Sequence, residues 1–145
     1  MIDGAAVVAG PGRPGAGDAA DAVRALSDAF AARDLDAALA CFAAGDDVGY
    51  AGSEQGETAT GRAALSGLLT EVFARDEAYA WTATTVTVRA YGSIAYVFAE
   101  ADGEVRTDAG ECEAFPYRVS GVLERADSGW LWRHCQGCEP ATPAT

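Results

Sequence analysis

Apolar and polar positions recur along this chain first with a helical period and afterwards with a strand period. Val23, Leu26 and Phe30 fall at three- and four-residue steps, which predicts a helix capped by Asp18 and ending near Arg33. Asp34 opens a second, short helix with Leu35, Ala38, Leu39 and Phe42 on one face, and Gly45 offers a C-terminal stop. Val48-Gly49-Tyr50 reads as a short strand and Gly52 to Glu57 as turn chemistry. Thr60 is the expected cap of a third helix, whose Leu65, Leu68, Leu69, Val72 and Phe73 make the best core-facing stripe in the chain. From Ala78 the period becomes two. Val86, Val88 and Ala90 share one face, and Ile94 to Glu100 continues with Tyr96 and Phe98 on one side. Asp102-Gly103 is expected to turn the chain, leaving the acidic stretch 104–113 as an irregular edge, a mobile loop or a lid over a pocket mouth.

The stretch from Phe115 to Pro140 holds two alternating segments around Ala126-Asp127-Ser128-Gly129, the pattern of a β-hairpin. With Ala126 opposite Gly129, Trp132 faces Leu123, His134 faces Gly121, Gln136 faces Val119 and Cys138 faces Tyr117. Tyr117, Val119, Leu123, Trp132, His134, Gln136 and Cys138 then share one face, expected to line a pocket, while Arg118, Ser120, Val122, Glu124, Leu131, Arg133 and Cys135 face solvent or a partner subunit. Three helices followed by a meander of strands define an α+β architecture, a strongly curved antiparallel sheet wrapped over helices.

Composition narrows the classes. A chain of 145 residues, 50% of them hydrophobic, suits one globular domain. Its expected limits are residues 18–140, with a flexible Gly/Ala/Pro-rich arm over 1–17 and a tail over 141–145. No apolar run approaches the length of a membrane span. With 22 acidic residues against 10 basic ones the formal charge is -12, which repels phosphate backbones and anionic lipid, so neither nucleic acid nor membrane is an expected partner. The first residues lack a basic n-region, which points to a cytoplasmic protein with its four cysteines reduced. Cys135-Gln136-Gly137-Cys138 is formally a CxxC, but with one histidine in the chain and no second pair it predicts neither a zinc site nor a cofactor.

Four segments in this order resemble the NTF2-like superfamily, and within it the SnoaL-like branch. They are Arg33 to Phe42 joining the first two helices, Gly61-Arg62-Ala63-Ala64-Leu65 opening the third, Tyr117-Arg118-Val119, and Gly129-Trp130-Leu131-Trp132. The resemblance spans about residues 18–140 and implies a cone with a pocket at its open end, in a subunit that pairs through the outer sheet face. It also implies what is missing. The catalytic-acid position of ketosteroid-isomerase-like members falls on Tyr50, their tyrosine on Leu26 and their neutral-acid donor near Ser120. The arginine–aspartate pair of epoxide-hydrolase-like members is here Arg118 followed by Ser120. The terminal histidine and serine of SnoaL-like relatives fall on Gln136 and Cys138. The fold itself hosts isomerases, cyclases and non-catalytic binders.

The candidate chemistry therefore centres on His134, the only side chain with an ordinary pKa near neutrality, as an acid or base oriented by Asp47, Glu100 or Tyr117. A buried imidazole bonded to backbone is the alternative. Tyr50, Tyr117 and Gln136 are placed to hold carbonyl groups, and Trp132 to stack on a ligand. Two functions follow. One is a SnoaL-like cyclase or isomerase for a small apolar, polyketide- or terpenoid-like compound; the other is a non-catalytic homodimeric module that binds a hydrophobic ligand.

Overall fold

The computed structural model describes residues 6–9 and 16–143, with side chains from residue 19 onward. Three helices pack on one face of a seven-stranded sheet. In chain order the elements are β1 (Ala6–Ala9), α1 (Ala16–Ala32), α2 (Leu35–Ala40), β2 (Gly49–Ala51), β3 (Thr58–Thr60), α3 (Arg62–Phe73), β4 (Glu77–Tyr91), β5 (Ile94–Thr107), β6 (Cys112–Ala126) and β7 (Gly129–Cys138). Across the sheet the order is β1-β4-β5-β6-β7-β2-β3, so the four long strands form the expected meander and the short ones cover its two edges.

The helices follow the apolar stripes. Val23, Leu26 and Phe30 of α1 and Leu65, Leu69 and Val72 of α3 are buried against the sheet. Arg33 ends α1 in the left-handed conformation at φ 51, and its guanidinium is held by the Arg75 carbonyl and the Asp108 carboxylate, each at 2.6 Å. Asp34 caps α2 by accepting the Ala37 N–H at 3.1 Å, but that helix stops at Ala40, before Gly45. The expected cap of α3 is displaced too. Gly61, not Thr60, precedes the helix, and the Arg62 N–H is satisfied by Asp46 across the loop at 3.0 Å.

Three further differences concern strands. The Ala-Val-Val-Ala run inside the expected arm forms β1, parallel to β4, because its backbone satisfies an otherwise open edge. Thr58–Thr60 adds β3, antiparallel to β2. Asp102-Gly103 is not a turn. The β5–β6 ladder continues through Gly103–Phe115 to Arg106–Cys112, and the chain reverses only at 108–111. Gly103 is there for packing: a Cβ on it would meet the Phe115 ring at 2.3 Å.

The curvature comes with two irregularities. In β4 the register shifts between Ala83 and Thr85, and the buried face changes from Trp81 and Ala83 to Val86, Val88 and Ala90. In β7 the partners are Leu123–Trp132 and then Val122–His134, so Arg133 is an extra residue. Beyond it every side chain changes sides. Trp130 and Trp132 are buried, then Cys135 and Gly137, whereas His134 is half-exposed and Gln136 exposed. The hairpin register holds as far as Trp132 and fails past it. His134 pairs with Val122 instead of Gly121, Gln136 with Ser120 instead of Val119, and Cys138 with Arg118 instead of Tyr117.

Candidate functional site

One aromatic pocket opens where the ends of α1 and α3, the starts of β4 and β6, and the β2–β3 turn converge. Phe30 comes from α1, Val72 from α3, Tyr79 and Trp81 from β4, Phe115 and Tyr117 from β6, Tyr50 from β2, Ser53, Glu54 and Glu57 from the turn, and Glu139 from beyond β7. Its free space is about 50 Å³, room for a few water molecules or a head group of a few heavy atoms. The rings set the walls: centroids lie 5.2 Å apart for Phe30 and Trp81, 5.5 Å for Trp81 and Tyr117, and 5.8 Å for Phe115 and Tyr117.

Each wall residue is positioned by its neighbours. The buried Ser27 hydroxyl on α1 donates to the Trp81 carbonyl and accepts from the Trp81 N–H, both at 2.8 Å. This fixes Trp81 while leaving its indole N–H buried with no hydrogen-bond partner among the described residues. Tyr117 lies over Gly137, whose missing side chain makes room for the phenol, and its hydroxyl shares a hydrogen bond with Ser53. Glu57 folds back over Gly52, accepts the Glu54 N–H at 3.1 Å and pairs with Arg75 at 3.3 Å, which ties the turn to the end of α3.

Burial keeps the phenols neutral. It pushes Tyr50 and Tyr117 well above the usual phenol range, with nearby Cys135 and Glu57 adding to the effect on both. Tyr79 is pushed up to about 12 by burial and by the hydrogen bond from its hydroxyl to Glu77 at 2.5 Å. Burial likewise raises the Cys135 thiol, and it raises Cys41 to about 11. A neutral acid in the fold that ionises when unfolded makes stability fall as pH rises, because the unfolded chain then binds fewer protons. The expected result is a urea midpoint that declines from about pH 9, where unfolded thiols begin to ionise, and more steeply through pH 10 to 12, where unfolded tyrosines do. A Tyr50→Phe/Tyr117→Phe variant should flatten the steeper part. An unchanged slope in that variant counts against the buried phenols.

Of the residues expected from sequence, Tyr50 and Tyr117 meet in this pocket and the others lie elsewhere. His134 and Gln136 sit on the outer sheet face, turned away by the Arg133 bulge, and His134 lies beside Gly49. Glu100 is on the same outer face, bonded to Arg118 at 3.0 Å. Asp47 is exposed in the loop before β2, its carbonyl taking the Arg133 guanidinium at 2.6 Å. Trp132 is fully buried behind α1, its indole N–H donating to the Ala22 carbonyl at 3.3 Å. The pocket residues that sequence reasoning missed are Ser53, Glu54, Glu57, Tyr79, Phe115 and Glu139. Their signal was weak: turn residues, a post-strand glutamate, and two aromatics at strand starts. Among the described residues no group of three or more His, Cys, Asp and Glu is placed to hold a metal, and no helix is long and apolar enough to cross a membrane.

A cone of curved sheet over three helices with a pocket at its end is the NTF2-like fold, and solved structures agree. An NTF2-like superfamily protein from Salmonella enterica superposes with a TM-score of 0.73 over 88% of this chain and 92% of its own, at 13% identity. A ketosteroid isomerase-like protein from Erwinia carotovora atroseptica gives 0.63 over 84% and 93%, at 23% identity. An NTF2-like protein with a cystatin-like fold from Novosphingobium aromaticivorans gives 0.67 over 88% and 83%, at 18% identity. No curated protein matches the sequence. Residues 19–141 match the profile of the SnoaL-like domain, and the chain belongs to that family.

Proposed function

We propose that the chain is a small-molecule-binding cavity protein that works as a homodimer. The observation that carries this reading is an aromatic pocket that contains Tyr50 and Tyr117 and has Trp81 in its wall, the indole N–H of Trp81 being buried without a partner among the described residues. An unpaired buried donor is costly, and a guest whose acceptor reaches it relieves that cost. Acid–base machinery is less well supported. Glu54 and Glu57 are both paired with Arg75, and His134, on the opposite face of the sheet from Tyr117, takes no part in the pocket.

A second reading, a SnoaL-like cyclase or isomerase, has one observation in its favour. Neutral phenols at Tyr50 and Tyr117 are suited to donate hydrogen bonds to a carbonyl that gains charge during reaction. Recovery of bound ligand unchanged after long incubation separates simple binding from this chemistry.

Pairing through the outer sheet face is supported by its exposed apolar side chains. Ile94, Tyr96 and Phe98 alternate along one side of β5 with 37%, 47% and 39% of their surface exposed. Native mass spectrometry of freshly purified protein tests both parts of the proposal. It should record a dimer carrying a small co-purified mass, and a Tyr96→Asp variant should run as a monomer. A wild-type monomer sinks the pairing; a dimer that neither retains a small mass nor acquires one from a fragment mixture sinks the binding function.

A further inference from the structure

We propose that the pocket selects a cationic head group, an amine or quaternary ammonium on a small organic molecule; this rests on the binding reading above and narrows it to a ligand class. The first support is charge. Glu54, Glu57 and Glu139 line the pocket, and among the described residues no lysine, arginine or histidine does. The Arg75 guanidinium pairs with Glu54 and Glu57 at 3.3 Å each, so the three lining carboxylates against this one cation leave two negative charges. Glu77 adds a further carboxylate where it accepts the Tyr79 hydroxyl. Burial is the main cause of the upward shifts of Tyr50, Tyr79 and Tyr117, and nearby glutamates add to it on all three. An anionic guest meets this field as a repulsion and a cation as an attraction.

The walls supply the second support. Phe30, Trp81, Tyr117 and Phe115 form a continuous run of rings with neighbouring centroids 5.2 to 5.8 Å apart. Aromatic faces carry negative potential, and desolvated rings hold ammonium groups by cation–π attraction. A wall of leucines of the same area would not make this distinction. The space of about 50 Å³ suits a methylated ammonium better than a fused-ring skeleton. A guest whose acceptor oxygen reaches the Trp81 N–H, which has no partner among the described residues, gains a hydrogen bond besides.

Choline carries both features, and its neutral carbon isostere, in which a tert-butyl group replaces the trimethylammonium, keeps the shape without the charge. The experiment is a titration of the whole chain with each probe, followed by NMR at the Trp81 indole N–H, assigned with a Trp81→Phe variant. Choline should shift that signal and bind about tenfold more tightly than the isostere. Its affinity should fall with added salt. Glu57→Gln and Glu139→Gln should each weaken choline about threefold and leave the isostere unmoved. Glu139 lies exposed beyond β7, so its variant keeps the test valid should Glu57→Gln disturb the turn. An isostere that binds as well as choline overturns charge selection and leaves the cavity reading standing. A pocket that takes neither probe overturns the cationic class, while the mass spectrum decides the binding reading separately.

Discussion

Replacing Gly121 with alanine is expected to lower stability by roughly 3 kcal/mol, or about 10 °C in the thermal midpoint of a chain this size. Gly121 lies opposite Cys135, just past the extra residue Arg133, and its φ of 156 lies at the edge of the range that side chains adopt. A Cβ there would stand 2.0 Å from the His134 carbonyl oxygen and 2.9 Å from its carbon. Those are backbone atoms and cannot rotate away, so the clash is relieved only by separating β6 from β7 where the bulge forms. The bulge is braced from the other side as well. The Arg133 guanidinium donates to the Ala44 and Asp47 carbonyls at 3.2 and 2.6 Å and to Glu124 at 2.8 Å. On the side of β7 away from β6, the Trp132 N–H donates to the Cys41 carbonyl and the Trp132 carbonyl accepts from the Ala43 N–H. A urea titration of Gly121→Ala within 0.5 kcal/mol of wild type, an indistinguishable difference for such measurements, counts against this account of the bulge.

That bulge also explains how far the sequence could be read. Alternation along Ala126 to Trp132 specified the hairpin and its register, because one face had to bury Leu123 and Trp132. Helical periodicity located α1 and α3 for the same reason: their stripes contain little but aliphatic and aromatic residues. An added residue inside a strand leaves no comparable mark, since Arg133 is chemically ordinary and only its neighbours' hydrogen bonds betray it. Continuing the alternation past it placed His134 and Gln136 in the cone and Cys135 outside, the reverse of the structure. Gly103 misled in a related way, because glycine serves turns and close packing alike, and here it makes room for Phe115. Less of the pocket was legible. Tyr50 and Tyr117 stand on strands whose facing could be counted, whereas Glu54 and Glu57 reach it through a turn whose path only the folded chain defines.

Gly137→Ala is expected to close the pocket. The added methyl would fall 1.9 Å from the Tyr117 hydroxyl and 2.7 Å from the ring carbon that bears it, so the phenol must move or the strands must part. Gly137 pairs with Val119 in the β6–β7 ladder, and parting the strands breaks it; swinging the ring forfeits the Ser53 hydrogen bond and drives the phenol toward the remaining space of about 50 Å³. The second course costs less, about 1–3 kcal/mol for an overpacked site. It removes the space that a guest needs, so choline should no longer shift the Trp81 indole signal although the protein remains folded. The cause can be isolated with a second change. Tyr117→Phe deletes the nearest clashing atom, so Gly137→Ala/Tyr117→Phe should be more stable than the sum of the two single losses predicts, by about 1 kcal/mol. Only part of the cost returns, because the ring carbon still lies too close. Additive losses in that cycle, or a Gly137→Ala protein that binds choline as wild type does, would show that the phenol over Gly137 does not govern entry to the pocket.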